Sequence, residues 1–442
     1  MLPETISNKD INKLAFPAII AGISEPLIGL VDTAIIGQLG TAELAGVGIA
    51  SSFIGLVIWV FAQTKSSIST IVSQYYGKNK LPEIYSLIPQ TSIFIAVVGL
   101  LFFLGSSLFL DFIFSLYNAE GEILNHAMQY YEIRGIGFPI TLITFILFGT
   151  FRGIQNTKWA MQISIIGGIL NITLDYFLVN GITNFIDPLG VKGAAWASVI
   201  AQFAMLLLAL IYLIKQTTFN LKLCFDINPN FQKMLTMSSD LFIRTIALNI
   251  ALLLGVRIAT GYGETYIATH TILLNLWLFS AFFLDGYAAA GNAISGKLLG
   301  QQAFKPLYLF AVRIIKMNIT IGFAMGLLFL LLYPIIGNFF TQDNAVLDLL
   351  NTTFWLVIII QPLNSLAFSM DGILKGLGET KQLRNVLLAA TFLGFIPIIY
   401  GSKYLDWKLA GIWLAFIVWI LFRGVGLWYL FYKKYKISNE KP

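Results

Sequence analysis

The chain has 442 residues, 57% of them hydrophobic and only 11% charged, with a mean hydropathy of +0.79. A soluble domain carries about 25% charged residues, so a chain this poor in charge cannot cover a water-facing surface and needs lipid as part of its solvent. The formal charge of +6 comes from basic residues scattered singly through short loops; no stripe of them tracks phosphates, which sets nucleic acid aside as a partner.

Residues 1–10 are mixed in charge and lead into a long apolar run, which reads as an uncleaved first helix rather than a secretory leader. Apolar runs between glycines, prolines, asparagines and charges then give twelve candidate spans: 11–39, 44–76, 84–114, 124–151, 159–180, 190–214, 232–259, 265–299, 306–340, 346–375, 382–401 and 409–432. Their apolar cores are long enough. Residues 84–110 run 27 positions without a charge and 349–370 run 22, where about 20 cross the hydrocarbon as helix. No ten-residue alternation of a membrane β-strand is present.

With these spans, 18 loop and terminal lysines and arginines fall on one side, among them Lys78, Lys80, Arg152, Lys158, Lys381 and Lys433. Five fall on the other: Arg134, Lys192, Arg257, Lys403 and Lys408. Basic loops stay cytoplasmic, so both termini are expected inside. One long polar connector, 215–231, separates a six-span lobe at 1–214 from a second at 232–442. It carries the single cysteine, Cys224, so an internal disulfide is excluded; two histidines and one thiol make no soft-metal cluster.

The two lobes echo each other. Gly40 and Gly77 map onto Gly263 and Gly300, Pro139 maps onto Pro362, and 152–158 maps onto 375–381, all at an offset of 223. Gly193 and Ala197 match Gly411 and Ala415 at 218. A six-span repeat keeps its orientation in the membrane, giving parallel repeats and an architecture suited to alternating access. A channel would need a filter or a charged ring, and none is visible.

Four segments carry a family resemblance: 26–40 (PLIGLVDTAIIGQLG), 151–158 (FRGIQNTK), 268–300 (ATHTILLNLWLFSAFFLDGYAAAGNAISGKLLG) and 361–384 (QPLNSLAFSMDGILKGLGETKQLR). They resemble the multidrug and toxic compound extrusion (MATE) family, in the branch typified by DNA-damage-inducible protein F. The resemblance implies an all-α integral membrane protein of twelve transmembrane helices in a 6+6, V-shaped fold. It also implies a monomer in the cell inner membrane, exporting drug-like, amphipathic and often cationic organic molecules by H⁺ or Na⁺ antiport, with no cofactor beyond the coupling ion. Relatives of this fold also move lipid-linked sugars, so a MOP-superfamily flippase of lipid-linked oligosaccharide is the alternative. Glu25, where a small residue is expected, and Lys65, where the branch often has arginine, depart from the pattern.

A charge on a membrane helix is expensive and marks candidate machinery. Asp32 lies eight residues from Gly40 at the outer end of its span, and Asp175 six from Gly181. Ser198 lies at a comparable depth on the sixth span, and Asn171 is one turn from Asp175 on the same face. The bland reading is that these carboxylates only hydrogen-bond neighbouring helices. The resemblance adds that Asp32, Asn171 and Asp175 match the family's ion site, with Ser198 where threonine is commoner. Together the four are expected to take the coupling H⁺, or Na⁺ at Asp32, Asn171 and Asp175.

Pro17 and Pro26 compete for a hinge in the first helix, since proline removes a backbone hydrogen bond. Glu25 and Lys65 fall at similar depths on adjacent spans and are expected to pair. In the second lobe, Asp371 precedes Lys375 by one turn, an expected interfacial ion pair. Asp285 either pairs with Arg244 or lines the cleft, and pairing is favoured. An enzyme is not expected, for no Ser/His/Asp set, HExxH motif or metal-bearing carboxylate pair is present.

Overall fold

The computed structural model describes residues 6–181, 187–219, 222 and 226–436, without the side chains at 25–28, 30 and 334. Among the described residues every regular element is helical, as a chain in hydrocarbon requires: backbone donors and acceptors must be satisfied within each segment. The first eight α-helices are α1 (Asn8–Ile36), α2 (Thr41–Phe61), α3 (Gln63–Gly77), α4 (Leu87–Ser107), α5 (Leu110–Ser115), α6 (Gly121–Arg134), α7 (Gly137–Gly153) and α8 (Lys158–Asn180). Then follow α9 (Val191–Gln216), α10 (Asn230–Gly261), α11 (Glu264–Gly300), α12 (Phe304–Phe340), α13 (Asn344–Leu377), α14 (Thr380–Ala389), α15 (Ile396–Tyr404) and α16 (Lys408–Tyr435).

Among the described residues, ten helical stretches are long and apolar enough to cross a membrane, and α6 with α7 forms a further span bent by 50°. Helix α1 adds 29 residues, about 43 Å at 1.5 Å per residue, and between 14 and 31 holds a single charge, Glu25. The chain is therefore a multi-pass membrane protein. The expected spans differ in detail. The second is interrupted at Ala62, between α2 and α3. The third ends at Ser107 and continues as the short α5. The fourth breaks at Gly135 and Ile136. The eleventh carries a π-helical turn, Ala390–Phe395, joining α14 to α15 just before Pro397, where a backbone donor is missing anyway. The hydroxyl of Thr391 within this turn accepts the indole N–H of Trp419 at 3.0 Å.

Contacts divide the chain into two compact units. One comprises residues 1–19, 76–78 and 236–442; the other comprises 20–75 and 79–235. We refer to them as the C-terminal and N-terminal unit. Helix α1 contributes to both and runs continuously through Pro17 and Pro26.

In the C-terminal unit, α11 and α13 lie so close that a Cβ at Gly372 would strike the backbone of Ala288, and one at Gly376 that of Asn292. Small residues let membrane helices approach in this way. Helix α13 begins with Asp343, whose carboxylate accepts the N–H of Ala345 at 2.8 Å, and ends at Gly378 in the left-handed region, with φ 79°. Its core gathers Phe354, Phe395, Trp413, Phe416 and Trp419. The first turns of α1 belong here as well: Asn12 accepts the hydroxyl of Tyr287 at 2.9 Å, and Arg313 donates to the carbonyl of Ile6.

The N-terminal unit packs Phe114, Tyr131 and Phe138 with Val47 and Val191. Its last segment is fastened by side chains. Asn228 donates to the Glu83 carbonyl and the Ser86 hydroxyl, both at 3.0 Å, and Gln90 bonds the backbone of Asp226 and Asn228.

Candidate functional site

A cavity of about 310 Å³ lies inside the N-terminal unit, lined from α1, α2, α3, α6, α7, α8 and α9. Asp32 reaches it from α1, Asn171 from α8 and Ser198 from α9. Asp175, one turn beyond Asn171, is fully buried behind the lining. Asn171 donates its Nδ2–H to Asp175 Oδ2 at 3.0 Å, and the carboxyl groups of Asp32 and Asp175 stand within hydrogen-bonding reach of each other. One further oxygen on each, Oδ1, is buried without a hydrogen-bond partner among the described atoms. The four residues singled out from the sequence are thus brought to one place, three on the cavity wall and one directly behind it.

Two ionised carboxylates can only accept hydrogen bonds, so neither can satisfy the other. Two such groups close together in a poorly solvated site favour uptake of a proton or a cation.

Sequence reasoning missed Arg134. It was assigned to a loop on the outer side; the structure instead puts it at the break between α6 and α7, on the cavity wall, where its charge acts on both Asp32 and Asp175. The reason is local. Helix α6 ends at Arg134, the following Gly135-Ile136 step lets the chain bend, and Gly137 leaves space beside it. A Cβ at Gly137 would collide with the amide oxygen of Gln202 and come within 3.1 Å of the Arg134 guanidinium. The signal was weak: the residues before Arg134 include Asn125, His126, Gln129 and Glu132, so one more charge did not stand out. Tyr130, one turn before Arg134, and Gln202 join the wall for the same reason.

Lys65 also lines the cavity, its ammonium 5.8 Å from the ring centre of Phe145 and 5.4 Å from that of Phe148. The pairing expected between Lys65 and Glu25 falls on a side chain outside the described residues, as does the side chain of Pro26.

In the C-terminal unit the expected pairs are corrected. The charge of Lys375 acts on Asp371, but the direct contacts of the carboxylate come from other helices. Its Oδ2 takes the guanidinium of Arg244 from α10 and, at 2.8 Å, that of Arg423 from α16. All three side chains are buried, and a buried carboxylate on a helix-packing face is best met by charges from neighbouring helices. Arg423 also lies over the Trp419 ring, 4.8 Å from its centre. Arg244 therefore goes to Asp371 and not to Asp285. Asp285 is exposed on α11, opposite the buried run Gly286, Tyr287 and Ala288.

Residues 17–177 and 241–400 match the MatE family model, once on either side of the 215–231 connector and over more than half of the chain. The chain belongs to the MatE family. This MatE chain is 26% identical over 434 residues to DNA damage-inducible protein F of Escherichia coli (strain K12), covering 96% of this chain and 92% of that protein. It is 24% identical over 426 residues to a probable multidrug resistance protein NorM of Thermotoga maritima, covering 94% and 90%. A solved structure of MATE in the bent conformation superposes with a TM-score of 0.90 at 20% identity, over 98% of this chain and 97% of that one, which makes the fold that of MATE transporters. The MatE chain is a membrane transporter and not an enzyme.

Proposed function

We propose that this MatE chain is a secondary active exporter that expels amphipathic organic compounds, cationic ones among them, in exchange for H⁺ or Na⁺ by alternating access. It is taken to work as a monomer in the cell inner membrane with both termini cytoplasmic. The observation that carries the reading is the placement of Asp32, Asn171 and Ser198 on the wall of one cavity, with Asp175 buried next to it and hydrogen-bonded to Asn171. The cavity mixes apolar and aromatic wall, Ile54, Phe145 and Phe148, with a few polar groups, which is how small-molecule sites are built.

The mechanism follows from the charge requirement. When a proton or Na⁺ neutralises the pair, that wall of the cavity loses its negative charge; when the ion leaves, that charge returns. Cargo that prefers the ion-free pair and an ion that prefers the cargo-free cavity each lower the other's affinity, which is the thermodynamic content of antiport. The names of similar proteins, a multidrug resistance protein among them, support drug-like cargo.

The test is dye and drug efflux from a pump-deficient bacterial host. Asp32→Asn is expected to abolish export at normal membrane abundance, and wild-type efflux by the Asp32→Asn, Asp175→Asn double variant would move coupling elsewhere, to Asp285 first.

A flippase of lipid-linked oligosaccharide is the second reading. Lys65 and Arg134 on the cavity wall favour it, since a pyrophosphate head group needs cations. Asp32 on the same wall counts against it.

A further inference from the structure

We propose that Gly22, Gly29 and Gly55 set the breadth of cargo the cavity accepts, their missing side chains leaving room along α1 and α2 for a flat, fused-ring body. This rests on reading the cavity as the cargo site.

Elsewhere in the N-terminal unit glycine lets helices touch. A Cβ at Gly46 would strike that of His126, one at Gly149 the carbonyl of Lys65, and one at Gly153 the side chain of Val72. Gly22, Gly29 and Gly55 are different: a Cβ at each meets nothing within 4 Å among the described atoms, and all three line the cavity. None of them lies in the left-handed region that favours glycine. Glycine inside a helix costs stability relative to alanine, so with neither packing nor backbone conformation demanding it, the empty space is what it supplies. Open space by itself is not the signal, since Gly48 has it without lining the cavity.

The three positions form a bare surface. Gly22 and Gly29 are seven residues apart, two turns along one face of α1, and Asp32 follows Gly29 by three. Gly55 lies one turn after Ser51 on α2, which also lines the cavity. From α7 come rings on which a flat body stacks, Phe145 and Phe148. Thr141, nine-tenths buried, is on the same wall with its hydroxyl unpartnered among the described atoms, as is the amide oxygen of Gln202; both oxygens can accept an N–H from cargo. At about 310 Å³ the cavity is at the lower end of the range of about 300–1,000 Å³ for ligand pockets, so each side chain left out changes what fits.

The experiment is fluorescence titration of the purified full-length chain in detergent with two dyes, aminoquinoline and aminoacridine, each with its amino group γ to the ring nitrogen. They carry the same cation and differ by one fused ring, so the charges on the wall cancel from the ratio of their dissociation constants. Wild type is expected to bind both. Gly29→Leu, and likewise Gly22→Leu and Gly55→Leu, is expected to weaken aminoacridine at least about ten-fold more than aminoquinoline. The thermal midpoint should stay at or above wild type, since leucine suits a helix better than glycine. Alanine at the same positions shifts the ratio less in the same direction, and serves where a leucine variant is not monodisperse. An unchanged ratio in the folded variants overturns the proposal, as does wild type that binds neither dye. So does alanine that harms both dyes as much as leucine, the mark of a hinge glycine. Phe145→Ala separates the two failures. If it weakens both dyes while the glycine variants keep the wild-type ratio, the proposal alone fails; if it and the leucine variants all bind both dyes as wild type does, the cavity is not the cargo site.

Discussion

The two units bury carboxylates on membrane helices and treat them oppositely. In the C-terminal unit Asp371 is held by two guanidiniums, Arg244 and Arg423, so its charge is more than matched from inside the protein and leaves no place for a mobile cation. In the N-terminal unit Asp32 and Asp175 face each other, with one cation, Arg134, acting on the pair. Two acids against one fixed cation leave a place for one mobile positive charge. The same residue types make a structural tie in one case and an ion-exchange site in the other, and the count of fixed cations decides between them.

The sharpest way to break this contrast is to neutralise the exchanging pair. Asp32→Asn combined with Asp175→Asn is expected to reduce efflux to background while thermal stability stays at or above wild type, since a buried like-charge contact has been removed. Loss of stability along with efflux would make the pair structural.

The tie should behave in reverse. Asp371→Asn strands two buried guanidiniums and is expected to cost about 3–5 kcal/mol, seen as a lowered thermal midpoint and membrane abundance. Replacing the whole triad, with Arg244→Met, Asp371→Leu and Arg423→Met together, should recover most of that loss, because well-packed apolar residues often equal a buried ion pair. A triple variant that folds normally but exports nothing would give the triad a part in transport.

Asn171→Leu removes the donor that orients Asp175. A hydrogen bond to a charged group contributes about 1.5–3 kcal/mol, so export is expected to fall roughly ten-fold or more with the fold intact. Unchanged export would mean the amide does not orient the acid. The smallest effect is expected from Gly137→Ala. Its methyl meets only the ends of the Gln202 and Arg134 side chains, costing about 1 kcal/mol or less, so the thermal midpoint should fall slightly with export retained.

The fold was legible because lipid imposes a length: each uncharged run of about 20 residues had to be a helix, and family motifs gave the helices their arrangement. The breaks inside spans were not legible, since the step from Ala62 to the polar stretch that begins at Gln63, and the π turn ahead of Pro397, fit an unbroken helix equally well. Asp32, Asn171, Asp175 and Ser198 could be read because a polar residue in an apolar run stands out. Arg134 could not, because an arginine followed by Gly135 looks like the end of a helix, and here it is one, on the wall of the cavity. The triad escaped for a different reason. Its members are separated by 127 and 52 residues, and only three-dimensional packing ranks Arg244 and Arg423 above Lys375, which is four positions away.

The place of the first helix also sets a schedule for biogenesis. Asn12 leaves the ribosome near the start of synthesis, yet its hydrogen-bond partner Tyr287 follows 275 residues later. At roughly 5–20 residues per second, about 15–55 s of translation separate them. Ile6, whose carbonyl Arg313 takes, waits longer still. The leading segment of α1 is thus inserted early and packed late, and the C-terminal unit cannot complete its own core from residues made after the connector alone. Coexpressed fragments divided between 215 and 231 would therefore have to find each other for the C-terminal unit to mature.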